Sequence, residues 1–364
     1  MKIAFALAVH APNDERVWHQ QALALKKSGH DVYVVSARKK QFNPHDDLSF
    51  DNSNLKRKET INNIIIGLQK ISPDVIICDN PVSILSASKY KKKTKKNLQI
   101  YYDITEWYPS KIHLRHKFFF VNLLKTALLM AVSIYVSLLS DGFIFGEYYK
   151  ALPYKILFFW KRQINLSYYA DIEQITTFPA NDISKNCTLF YAGSLEQNYG
   201  FHSVLDCAKQ IAQKYPNTNF TLCIYSKDEK ECIINEPNLK ISFHKFLPFL
   251  DFCTKFGEAD LFFDLRKIDW ENTRCLPIKI FYYMAAGRPV IYSDFKAIRK
   301  GLPEIEEFGS LVNPKNTSKI VEQISKYITN KDLYEQHCRR ARELAENKYN
   351  WENIKKDFVD FIEK

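Results

Sequence analysis

The sequence predicts an α/β protein made of two Rossmann-like, doubly wound domains. Three observations predict it. Short apolar runs that read as buried strands alternate with amphipathic stretches in both halves of the chain. The 364 residues suffice for two domains, and a hydrophobic content of 46% suffices for two cores without disulfides or metal. The stretch Leu276 to Ile291 reads as a short buried helix running into a buried strand.

That last stretch organises the rest. Pro277 suits a first helical position, where no backbone N–H is needed. Ile280, Phe281 and Met284 form the face that packs on a sheet, and Ala285 and Ala286 allow close approach. Gly287 caps the helix, Pro289 prevents its continuation, and Val290, Ile291 and Tyr292 form the strand. Lys279 is anomalous, because a cation in a first helical turn opposes the helix dipole. Either an anion shares that position with it, or its head simply reaches solvent.

In chain order, Ile3 to Val9 is the first strand, and Asn13 or Asp14 caps a helix through Trp18, Leu23 and Leu25 that closes at Gly29. Asp31 to Ser36 is the second strand. No G-x-G-x-x-G follows the first strand, which argues against a nicotinamide cofactor. His10 lies in the loop after the first strand, where α/β proteins bind ligands; a structural role is the competing reading. Residues 39–58 read as a variable polar loop, 61–71 as an amphipathic helix, and 73–78 and 98–103 as strands. Asp103 and Glu106, at the end of the latter strand, are placed either for a substrate hydroxyl or to cap the next helix. Residues 117–139 are the most apolar stretch, with Lys111, His113, Arg115, His116 and Lys117 before them. A membrane-spanning helix would split the first domain and is rejected. Two readings stay open: a long buried helix covering the sheet, or an in-plane amphipathic helix on an anionic bilayer. Residues 141–145 are a strand, and 146–186 read as a low-order polar and aromatic stretch holding the last elements of the first domain and the hinge.

The second domain opens with a strand ending at Gly193 and a helix from Phe201. Gly193 would let backbone approach a phosphate and Ser194 could donate to it; an ordinary strand-to-helix turn is the alternative. Strands follow at 220–225, 241–246 and 259–264. Arg266 and Lys267 either hold phosphate oxygens or face only solvent. A charged helix covers 332–349, and Asn350 caps a last helix striped by Trp351, Ile354, Phe358 and Phe361.

The net charge of +11 favours anionic partners. The lysine run at 89, 91–93, 95 and 96 reads first as a solvated face, then as a membrane-surface patch. Nucleic acid ranks last, for want of any RNP, zinc-finger or helix-turn-helix pattern. The eight cysteines form no C-x-x-C pair and read as buried reduced thiols, without a zinc site. The short N-terminal apolar run reads as a strand, not a signal peptide, so a cytoplasmic protein is expected, able to lie on the inner face of the membrane.

Pro277-x-Lys279-x-Phe281-x-Tyr283-Met284-Ala285-Ala286-Gly287-x-Pro289-Val290-Ile291 resembles the donor-site signature of family 4 glycosyltransferases of the GT-B fold. Asp14-x-Arg16, Gly29-His30-x-Val32, Tyr102-Asp103 with Glu106, Tyr108 and Pro109, Tyr191-Ala192-Gly193-Ser194-Leu195, and Phe308 to Pro314 extend the resemblance over nearly the whole chain. It departs at Tyr282, where the family places a ribose-binding glutamate; at Arg274, where a partner acid is usual; and at Thr105, where histidine is usual.

The resemblance implies two domains facing each other across a cleft: 1–175 on the acceptor side and 176–349 for the nucleotide-sugar donor, with the final helix 350–364 packing back on the first. It implies a retaining, metal-independent hexosyl transfer from a nucleotide-diphosphate sugar to a hydroxyl of a glycan or lipid-linked acceptor, in surface polysaccharide or glycolipid assembly. No cofactor and no nucleic acid are expected. His10, Glu106, Arg266 and Lys279 would serve the chemistry; Gly193, Ser194, Asn198, Tyr199, Lys279 and Tyr282 the donor; Asp14, Arg16 and Asp103 the acceptor side. The apolar stretch and its basic flank, residues 111–139, offer a membrane surface by their own composition. The alternative is an inactive GT-B-shaped, membrane-associated partner of a glycan-assembly complex, which the substitutions at 274, 282 and 105 favour and Lys279, Gly193 and Glu106 oppose.

Overall fold

The computed structural model describes residues 1–37, 48–50, 56–106, 109–114, 116–228 and 236–364. Most of the loop 39–58, together with Trp107, Tyr108, Arg115 and Cys232, lies outside the described residues. Two compact units result: residues 1–168 with 354–364, and residues 169–353.

In the first unit, β1 (Lys2–Leu7) leads to a π-helical segment, Glu15–Ala22, that continues as α1 (Leu23–Lys27). Then come β2 (Asp31–Ser36), α2 (Arg57–Ile71), β3 (Val75–Cys78), α3 (Pro81–Thr94) and β4 (Gln99–Ile104). The series ends with α4 (Phe119–Leu139), β5 (Gly142–Phe145), α5 (Tyr148–Leu157) and β6 (Arg162–Asn165). The strands form one parallel sheet in the order β2-β1-β3-β4-β5-β6. β3 and β5 are buried along their whole length, as their unbroken apolar runs require of parallel strands covered on both faces.

The second unit repeats the plan with β7 (Asn186–Ala192), α6 (Phe201–Lys214), β8 (Asn219–Ser226), β9 (Leu239–Lys245), α7 (Phe249–Thr254) and β10 (Leu261–Asp264). It continues with α8 (Lys279–Ala285), β11 (Val290–Ser293), α9 (Lys296–Gly301), β12 (Gly309–Val312), α10 (Thr317–Thr329) and α11 (Lys331–Asn347). Its parallel sheet runs β12-β11-β10-β7-β8-β9. Asn350 accepts from the N–H of Asn353 at 3.0 Å and so caps α12 (Glu352–Glu363). In the first unit the Phe361 ring of α12 lies 5.1 Å from that of Tyr101, and His30 meets Glu363 at 2.9 Å.

Three expectations are corrected. The stretch 146–186 does hold the last elements of the first unit, α5 and β6, but these are regular, so it is not low in order as expected. Pro153 lies inside α5, where proline opposes a helical pattern, and β6 is a polar edge strand without an apolar pattern. Pro277 is not the first helical residue of the signature: α8 begins at Lys279. The 117–139 helix does not lie buried over the sheet, since only Val136 and Ser137 of α4 are fully buried. Hydropathy alone could not separate these outcomes, because a core helix and an exposed apolar helix have the same composition.

Candidate functional site

In the first sheet the strand order reverses beside β1, with β2 on one side and β3 to β6 on the other. The C-terminal ends of β1 and β3 therefore frame a switch point of the kind where open α/β sheets bind ligands. Asp79, directly after β3, holds this corner. Its carboxylate accepts the backbone N–H groups of Ala8, Val9 and His10 at 2.9 to 3.1 Å and the Ser83 hydroxyl at 3.0 Å. Sequence reasoning missed Asp79; the available signal was an acid placed straight after the buried run Val75–Cys78.

The loop so fixed presents His10. Its Nδ1 lies 3.1 Å from Asp14 Oδ2 and its Nε2 3.0 Å from Thr105 Oγ1. Burial alone would lower the imidazole pKa. The hydrogen bond and charge of Asp14, helped by Asp79 and Asp103, outweigh burial and raise it to about 9. Asp14 moves the opposite way: burial would raise its pKa, but His10 and the N–H groups of Val17 and Arg16 hold it below the usual carboxylate value. Asp14 also starts the π-helical segment by accepting from those two N–H groups. Thr105 thus takes up the far side of His10, a contact not foreseen.

Arg16 and Asp103 are buried at 3% and 4% exposure and face each other in a two-pronged pair, with both N–H···O distances 3.0 Å. Gln21 adds a hydrogen bond to Asp103 at 2.7 Å, Leu166 accepts from Arg16 at 2.8 Å, and the Tyr168 ring lies 5.0 Å from the guanidinium. Arg16 and Asp103 are therefore the internal frame of the site, not side chains that reach outward from it. Lys150 donates to the Thr105 carbonyl and pairs with Glu147 at 2.5 Å, which anchors the loop after β4 from below. Glu106 follows on that loop and is exposed.

The second sheet reverses between β7 and β10, and the two remaining candidate cations meet there. Lys279 donates to the carbonyl of Ala192, the last residue of β7, and its Nζ stands 3.9 Å from Asp264 Oδ2 at the end of β10. Arg266 Nε donates to Asp264 Oδ1 at 2.8 Å. Burial would lower the Arg266 pKa, and the adjacent Asp264 charge more than offsets it. Neither of the two readings of Lys279 is complete, since a buried carboxylate and a strand-end carbonyl already hold it. Arg266 does not face only solvent, for it is turned inward, with the Phe295 ring 5.4 Å away. Asp264 is a second residue the sequence reading missed; its signal is that it is the sole charge in the buried run Leu261–Asp264.

Gly193 and Ser194 lie on the same rim, one and two residues beyond the carbonyl that Lys279 holds. The Gly193 N–H donates to the Tyr225 carbonyl at 3.0 Å, and Ser194 Oγ lies 3.5 Å from Asp228. The Tyr191 hydroxyl donates to the Ser194 carbonyl at 2.7 Å and lies 3.1 Å from that of Tyr199, which shapes the turn. Asn198 and Tyr199 are exposed on it, and the Asn198 carbonyl accepts from Lys267 N–H at 3.0 Å. Gly200 ends it with φ +85°, where a Cβ would stand 2.1 Å from the Leu265 carbonyl oxygen. Tyr282 is buried, with its ring edge-on to Phe249 at 5.3 Å, so it does not stand on this rim as an open side chain. Arg274 lies over Trp270, with its guanidinium 4.8 Å from the ring centre. Among the described residues no group of three or more His, Cys, Asp or Glu side chains could hold a metal ion.

Residues 186–330 match the family described as glycosyl transferases group 1. An uncharacterized glycosyltransferase of Haemophilus influenzae is 27% identical over 179 residues, a match covering 47% of this chain and 48% of that one. The match thus spans about half of the relative's length. Among solved structures, sucrose-phosphate synthase from Thermosynechococcus elongatus superimposes with a TM-score of 0.73 at 14% identity, covering 100% of this chain and 98% of that one. HepE from Anabaena, in complex with UDP-glucose, gives 0.72 at 14% identity, covering 100% and 99%. The chain thus has the GT-B fold, and the part of it that is similar to glycosyl transferases group 1, residues 186–330, lies within its second unit.

Proposed function

We propose that the chain is a family 4-type retaining glycosyltransferase that moves a hexosyl group from a nucleotide-diphosphate sugar to a hydroxyl of a glycan or lipid-linked acceptor. The observation that carries the proposal is the pair of cations, Arg266 and Lys279, gathered on Asp264 at the β7/β10 switch point. Two cations share the one buried carboxylate of Asp264, so one positive charge is in excess at this strand end, while Asp228 stands 3.5 Å from Ser194 across the turn. A diphosphate placed there gains most as its bond to the sugar breaks, because negative charge then grows on the leaving oxygen. In front-face transfer the bond from the sugar carbon to the phosphate oxygen breaks, the acceptor oxygen takes its place, and the acceptor proton passes to the departing phosphate. No protein nucleophile and no metal are invoked. In the first unit, His10 with a pKa of about 9 is a cation at neutral pH. It acts as a hydrogen-bond donor and a fixed positive charge, with Glu106 as the exposed acid for an acceptor hydroxyl. The setting proposed is surface polysaccharide or glycolipid assembly on the cytoplasmic side, by analogy with the fold's other members.

Thermal stability against UDP-, GDP-, ADP- and CMP-sugars tests this. A ligand that binds only the folded state raises the melting temperature, by about 2.7 kcal/mol of stability at a hundredfold excess over Kd. One nucleotide class should stabilise the protein, and Lys279→Ala should abolish the shift. The placement of Tyr282 and Arg274 supports a second reading, a GT-B-shaped partner without transferase activity, because neither residue replaces a ribose-binding carboxylate. Absence of any shift at millimolar donor selects that reading.

A further inference from the structure

α4 leaves most of its apolar surface in water. Phe119, Phe120, Leu124 and Leu128 are each more than half exposed, and Phe120 reaches 79%. Monomeric soluble proteins rarely expose apolar patches of this extent. The patch continues beyond α4. Ser133 Oγ of α4 lies 3.3 Å from the Tyr154 hydroxyl of α5, and Lys161 donates to the α4 carbonyls of Ser137 and Leu138 at 2.7 and 2.9 Å. Beside this junction Phe159 and Trp160 are 76% and 60% exposed, with ring centres 5.2 Å apart. A helix end and an aromatic pair thus extend one apolar surface.

We propose that this two-element surface docks in the plane of an anionic lipid bilayer. Charge selects that occupant. Residues 111–139 and 148–160 contain no Asp or Glu, yet carry the exposed Lys111, Lys117, Lys125 and Lys155. A second copy placed face to face would set these cations against each other, whereas anionic headgroups complement them. α4 is long and apolar enough to cross a membrane. It cannot do so in this fold, because β4 and β5 on its two sides pair in register, Tyr101 with Gly142 through Ile104 with Phe145. Its C-terminal end is also held in the core by Val136. Lying flat satisfies both constraints, with Trp160 and Phe159 at headgroup depth. The surface is separate from the switch-point residues, so the inference stands independently of the donor reading.

The test uses the full chain with phosphatidylglycerol/phosphatidylethanolamine vesicles and with phosphatidylcholine vesicles. The protein should sediment with the anionic vesicles, less so at high salt, and Trp160 emission should shift to the blue, a change lost in Trp160→Phe. Phe120→Ser with Leu124→Ser should lower the partition coefficient about tenfold or more while the melting temperature holds, because both side chains are already in water. Failure to bind anionic vesicles overturns the proposal, as does a double variant that binds as the parent does. A solution dimer that the double variant dissociates overturns it in favour of a second copy. Nucleotide-sugar stabilisation is read separately, so loss of one result leaves the other standing.

Discussion

His10→Gln removes a cation from the first unit while leaving side-chain atoms that can still hydrogen-bond Asp14 and Thr105. In the native site the imidazole pKa rises from the ordinary 6.5 to about 9: burial opposes the charge, and Asp14, Asp79 and Asp103 more than compensate for it. The side chain is 22% exposed, so solvent screens the interaction only in part. A rise of this size corresponds to about 3 kcal/mol at most. Because the folded-state value lies above the unfolded one, the stabilisation is fully present below about pH 6.5 and is lost as pH rises through about 9. Asp14, held below 3.8 by His10 and two N–H groups against its burial, sets the acid edge: its contribution disappears as pH falls through that lowered value. Two assays read the effect. NMR titration of the His10 ring, assigned by the variant, should give a midpoint near 9. Urea unfolding of parent and variant between pH 5 and 10 should show a gap that is widest near pH 5 to 6 and closes above 9. A ring midpoint at or below 6.5, or a gap that does not change with pH, refutes the electrostatic reasoning. A midpoint of 9 leaves about one molecule in a hundred with neutral imidazole at pH 7, which rules His10 out as a general base under those conditions.

Two further substitutions probe the switch points. Asp79→Ala strips the acceptor from three backbone N–H groups and the Ser83 hydroxyl, so a loss of about 2–4 kcal/mol is expected, together with a fall in the His10 pKa as its loop relaxes. Denaturation and the same ring titration check both outcomes, and an unchanged His10 midpoint argues against Asp79 as the organiser of the loop. Gly200→Ala forces a Cβ to 2.1 Å from a backbone oxygen at φ +85°, and should cost about 3 kcal/mol or more in the second unit. A melting temperature within a degree of the parent's contradicts that packing.

Much of the architecture was legible in the residues. Unbroken apolar runs such as Val75–Cys78 and Val290–Ser293 mark buried parallel strands. Caps at Asp14 and Asn350 and the turn residues Gly29 and Gly287, both at positive φ, punctuate the helices. Lys279, Arg266, Gly193 and Ser194 were singled out from sequence, and the fold gathers them at one end of the second sheet. β6 was not legible, because an edge strand needs no apolar pattern to pair on its one inner side.

Local physics lies in the sequence itself: the period of apolar residues, the stiffness of Pro and the freedom of Gly, and the net positive charge. Tertiary structure alone decided the pairings that set the chemistry. Asp103 meets Arg16 from 87 positions away, Asp79 reaches back to the loop after β1, and Asp264 holds both Arg266 and Lys279. Parallel crossovers bring the ends of distant strands side by side, so no local pattern records which charge will face which. The same applies to α4, whose apolar side chains read alike whether a sheet, a bilayer or water covers them; the paired register of β4 and β5, with the packing at its C-terminal end, is what leaves that surface in the open.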